Sequence, residues 1–92
     1  MNYYQIDNPG IKNWITYEDN EIAKITQYPP NIWVTENIEW AQRVGATELS
    51  KDNAQMIVDV YITQLRIEWQ NCMNTYHDEQ ICGPEPPYFI LP

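Results

Sequence analysis

The sequence predicts an α+β fold, a small three-stranded antiparallel sheet packed against one short and one long helix. Three observations carry this. Apolar residues from Ser50 to Tyr76 recur at helical spacing, segments between Trp14 and Val34 are rich in β-branched and aromatic residues, and no Pro or Gly interrupts residues 46–82. At 92 residues the chain is one domain, with a β-rich part (1–34), a helical part (35–77) and a proline-rich apolar tail (83–92).

Along the chain, Asn2 to Ile6 reads as a short strand or a loose arm, and Asn8-Pro9-Gly10-Ile11 as a turn. Trp14–Tyr17 and Ile22–Thr26 form the arms of a hairpin around Asp19-Asn20, whose residue types tolerate the positive φ of a tight turn. Pro29-Pro30 stops the second arm, because neither residue donates to a ladder. Asn31 to Val34 supplies the third strand. Thr35 is the expected N-cap of a short helix over Glu36–Val44 that ends at Gly45 and buries Trp40, Ala41 and Val44. Ser50 caps the long helix, with Asp52 in its first turn and Leu49 set to pack on Ala54.

A helix of roughly 25 residues is nearly 40 Å long at about 1.5 Å per residue. Its apolar residues cover more of its circumference than so short a chain can shelter. Trp14, Ile25, Trp33, Tyr61, Leu65 and Trp69 are expected in the core. Ile57, Val60 and Ile67 are expected to remain for a homodimer or another protein partner, together with the tail residues Tyr88, Phe89, Ile90 and Leu91. Four large apolar residues at the end of a chain leave water, first onto the protein's own core or else into a partner.

Thirteen acidic residues against five basic ones give a net charge of −8. Nucleic acid and anionic membrane surfaces repel such a chain, so neither is an expected ligand. The same charge gives an alternative reading, an acidic inhibitor that imitates nucleic acid on a basic protein. That reading requires Asp19, Glu21, Glu36, Glu39, Asp52 and Asp59 to share a face.

One cluster has ligand-like chemistry: Cys72, His77, Asp78, Glu79 and Cys82. Cys72, His77 and Cys82 are the candidate zinc ligands, but no Cys-x2-Cys or His-x3-His spacing accompanies them. No metal and no cofactor is expected. Cys72 and His77 diverge by about 140° on a continuous helix, which makes them poor catalytic partners. The adjacent acids read as solvated turns and helix ends, and the three glycines lie too far apart for a phosphate loop. The expectation is a non-enzymatic protein. No leader and no apolar run of membrane-spanning length is visible, so the expected compartment is the cytoplasm. Both cysteines are then free thiols; in an oxidising compartment they would close a short loop if their Cα atoms came within about 7 Å.

The hairpin followed by a strand running into a helix at Trp33-Val34-Thr35-Glu36-Asn37 resembles the layout of small bacteriophage-encoded accessory proteins, including those of the tail-fibre assembly kind. The resemblance spans Trp14 to Gly45 and rests on the Val-Thr-Glu that precedes the helix. It implies an assembly role and assigns no functional residue.

Overall fold

The computed structural model describes residues 1–7 and 25–92. The Asn8–Ile11 turn, the hairpin arms Trp14–Tyr17 and Ile22–Lys24, and the core position expected for Trp14 lie outside the described residues. Within them stands a four-stranded sheet in which every neighbouring pair is antiparallel. Its strands are β1 (Asn2–Gln5), β2 (Thr26–Tyr28), β3 (Ile32–Thr35) and β4 (Thr47–Leu49), in spatial order β2-β3-β1-β4. The helices are α1 (Ile38–Arg43), α2 (Lys51–Tyr76) and α3 (Glu79–Cys82).

The described residues hold four strands where three were expected, because the N-terminal segment and the link between the two helices both join the sheet. Asn2–Gln5, left open between strand and arm, is an interior strand: Tyr4 pairs with Trp33 of β3, and Tyr3 sits between Val34 of β3 and Leu49 of β4. Strand β4 is the three-residue link Thr47-Glu48-Leu49 between α1 and α2. Strand β2 ends at Tyr28, and the chain returns through Pro29-Pro30, a cis peptide, into β3.

Period-two alternation explains the layers. Tyr4 and Trp33 point to one side, where they pack with Ile6, Ile25 and the α1 residues Trp40 and Ala41. Tyr3, Ile32 and Val34 point to the other, against Ala54, Val58 and Ile62 of α2. All four residues of β3 are buried, as a strand covered on both faces must be. Burial pushes the Tyr4 phenol above its ordinary pKa of 10.0, and the nearby Glu48 carboxylate pushes the same way. That shift belongs to the core on the α1 side.

Helix α1 starts two residues later than expected. Thr35 is wholly buried in β3, and its hydroxyl accepts from the Asn37 N–H at 3.0 Å. Asn37 therefore serves as the cap, its side chain accepting from the Trp40 N–H at 2.9 Å. Helix α2 begins as expected, with the Ser50 hydroxyl accepting from the Asn53 N–H at 3.1 Å. It runs for 26 residues and ends at His77, which holds the left-handed conformation at φ 52°. A side chain there is strained, and glycine is not. His77→Gly is expected to raise the unfolding free energy by about 1 kcal/mol, read as a higher melting temperature; an unchanged or lower value would show that the imidazole holds the turn.

Candidate functional site

The long helix has two differently clothed sides. On its inner side, Ala54, Val58 and Ile62 dock on the sheet, with Leu65 beside them, so the sheet covers only the first half. Beyond Leu65 the inner side is covered by the chain's own C-terminus. Cys72 and Cys82 are joined as a disulfide with Cα atoms 5.7 Å apart. This corrects the free-thiol expectation: α3 folds back beside the end of α2 and brings the two residues within bridging distance. The two sulfurs are bonded to each other, so the candidate zinc set keeps only His77 of its three members. Among the described residues no group of three or more His, Cys, Asp and Glu converges on a common point. The free thiols were expected from a reducing cytoplasm, so the bridge lends that compartment no support. No helix of the described residues is long and apolar enough to cross a membrane.

From the bridge, residues 83–92 run back along α2 as an extended strap, and side chains of α2 bind its backbone. The Trp69 indole donates to the Gly83 carbonyl at 2.9 Å, and Arg66 donates to the Pro86 carbonyl at 2.8 Å while pairing with Glu85. The Arg66 guanidinium also lies 5.0 Å from the centre of the Tyr88 ring, and the Tyr88 and Thr63 hydroxyls are 2.9 Å apart. Nearer the sheet, the Gln55 amide brackets two strap residues. It donates to the Phe89 carbonyl at 2.7 Å and accepts from the Leu91 N–H at 2.8 Å. Proline suits this segment because the strap has few backbone donors to satisfy. Leu91 is fully inside, Phe89 meets Tyr28 edge to face at 5.9 Å, and the Tyr3 hydroxyl donates to the Pro92 carbonyl.

The strap divides the expected interface residues. Leu91 is core, and Phe89 is half-buried against the same cluster, so neither is offered to a partner; the cause is the Gln55 bracket, which turns alternate strap residues inward. Ile90, between them, is 88% exposed, and Tyr88 is half-exposed. Ile57 is half-buried, whereas Val60 (65%) and Ile67 (50%) stand in the open. Of the expected core, Ile25 and Trp33 are buried and Leu65 and Trp69 are half-buried. Tyr61 is exposed, because the sheet does not extend to its side of the helix.

The outer side of α2 has a composition that sequence reasoning missed. Met56, Val60, Thr63 and Ile67 follow each other at spacings of three and four and form one stripe, about half a turn from Val58 and Leu65 on the core side. Asn53 continues the stripe toward the N-terminus, and Gln70 and Asn74 continue it toward the C-terminus; all seven positions are exposed and none is charged. Of the five charged residues of α2, Asp59, Arg66 and Glu68 fall on the flanks, Lys51 on the core side, and Asp52 beside Asn53 at the start of the helix. Beside the stripe, Ile57, Tyr61 and Gln64 join Pro30 and the stripe residues Met56 and Val60 around an open apolar groove of about 480 Å³. The seven-residue spacing was legible in the sequence; it was hidden by the broader apolar count, which mixed inner and outer sides.

No family model, curated protein or solved structure matches the chain. The functional reading therefore rests on its own surface.

Proposed function

We propose that this chain is a non-enzymatic interaction or assembly protein, of the accessory kind its layout resembles, and that it works through the outer side of α2. The observation that carries this reading is the uncharged stripe centred on Met56, Val60 and Ile67. A helix side that faces only water is normally rich in Lys and Glu, and charge depletion with apolar residues at the centre is the composition of an interface core. In a chain of net charge −8, a 26-residue helix with an uncharged outer stripe is a pronounced exception.

The alternative, an acidic imitation of nucleic acid, has less to support it. Glu39 lies on α1 and Asp52 and Asp59 on α2, and those helices cover opposite faces of the sheet. Asp19 and Glu21 lie outside the described residues.

Val60→Glu tests the proposal. The side chain is exposed, so the fold should tolerate the change to within about 0.5 kcal/mol. Proteins retained from native-host extract by the wild-type chain and lost with Val60→Glu are the expected result. Identical retained sets would place the binding surface elsewhere.

A further inference from the structure

We propose that the partner of the α2 stripe is a second copy of this chain, with the two α2 helices packed antiparallel about a two-fold axis near the middle of the stripe. This rests on the stripe being an interaction surface and adds the identity of its occupant. Three features of the stripe point to self-pairing.

The first is self-complementarity. When two such helices run in opposite directions, with each knob of one layer meeting its symmetry-related counterpart, Met56 of each copy meets Ile67 of the other. Val60 then meets Thr63, and Asn53 meets Gln70. Apolar residues fall on apolar residues at the two ends of the central stretch, and amide falls on amide outside it. The pairing uses the heptad spacing from Asn53 to Gln70, about five turns of helix.

The second is charge. Two copies of a chain with net charge −8 repel one another, so a self-contact has to be made where no acid is present. The stripe meets that condition from Asn53 to Asn74. One flank is lined by Ile57 and Gln64, beside the apolar groove, which the second copy's side chains would enter.

The third is room. The sheet lies on the inner side of α2, as the buried Ala54, Val58 and Ile62 require, and the strap follows the flank that carries Gln55 and Arg66, reaching the stripe only where Tyr88 meets Thr63. Two copies meet α2 to α2 with each sheet behind its own helix and each α1 outermost, in the order α1, sheet, α2, α2, sheet, α1.

The test is a charge exchange read by sedimentation equilibrium on the full chain. The wild type is expected to dimerise at micromolar concentration. Met56→Lys and Ile67→Glu are each expected to weaken that dimer about 100-fold. The double variant M56K/I67E should recover most of the loss, because the antiparallel register sets each new Lys against a new Glu of the other copy. Residues 56 and 67 of one chain are about 16 Å apart along the helix, too far to pair within it. Both positions are exposed, and unchanged melting temperatures will show that the variants fold. A wild type that stays monomeric at high micromolar concentration overturns self-pairing. So do single variants that dimerise normally, or a double variant that fails to recover. If self-pairing fails while Val60→Glu still abolishes retention of a host protein, the interaction reading stands and only its occupant changes.

Discussion

Replacing Leu91 by alanine is expected to lower the unfolding free energy by about 2–5 kcal/mol, the usual cost of emptying a wholly buried leucine site. For a domain of this size that is a large share of its stability. Leu91 is the second residue from the C-terminus, a place where truncation and substitution are ordinarily harmless. Here it fills a cluster with Tyr3, Ile32, Val58 and Ile62. Ile90, its neighbour, is exposed, and Ile90→Ala should change stability by no more than about 0.5 kcal/mol. Urea unfolding of the two variants side by side gives the measurement. Equal, small effects would mean that the strap adds nothing to the core.

Reducing the Cys72–Cys82 bridge is expected to cost about 3 kcal/mol, because a short closed loop restricts the unfolded chain by about that much. Cys72→Ser with Cys82→Ser should reproduce the loss. Neither cysteine belongs to the two apolar clusters, so the bridge acts on the path of the chain rather than on core packing. Amide exchange should rise first around α3 and Gly83, where the Trp69 and Arg66 bonds begin the strap, and last at Leu91. An unfolding midpoint indifferent to dithiothreitol would show that the strap holds itself in place without the link.

How far the sequence disclosed this molecule depended on whether the determining contacts were local. The α2 start was legible because Ser50 and Asn53 are three residues apart and a cap needs nothing else. The end of α1 was legible from Gly45, which takes φ 71°. Its beginning was not, since Thr35 and Asn37 are both good caps, and only the demand of β1 for a partner drew Thr35 into the sheet. Asn2–Gln5 stayed ambiguous for a related reason: adjacent tyrosines give no alternation when both faces of a sheet are covered. The strap's course depends on Gln55, Arg66 and Trp69 meeting residues distant in the chain, a match no local pattern announces. The outer stripe of α2 was written in the sequence as a heptad spacing, but separating it from the inner side required knowing where the sheet lies.

The bond from the Tyr3 hydroxyl to the Pro92 carbonyl brings the first strand and the final residue to a single corner of the molecule. Anything attached to either terminus would depart from that corner, while the cross-linked tip of the 26-residue helix points elsewhere. A tether at one end and a tether at the other are thus nearly the same anchor. Whichever is used, the Cys72–Cys82 end of the long helix stands away from the point of attachment.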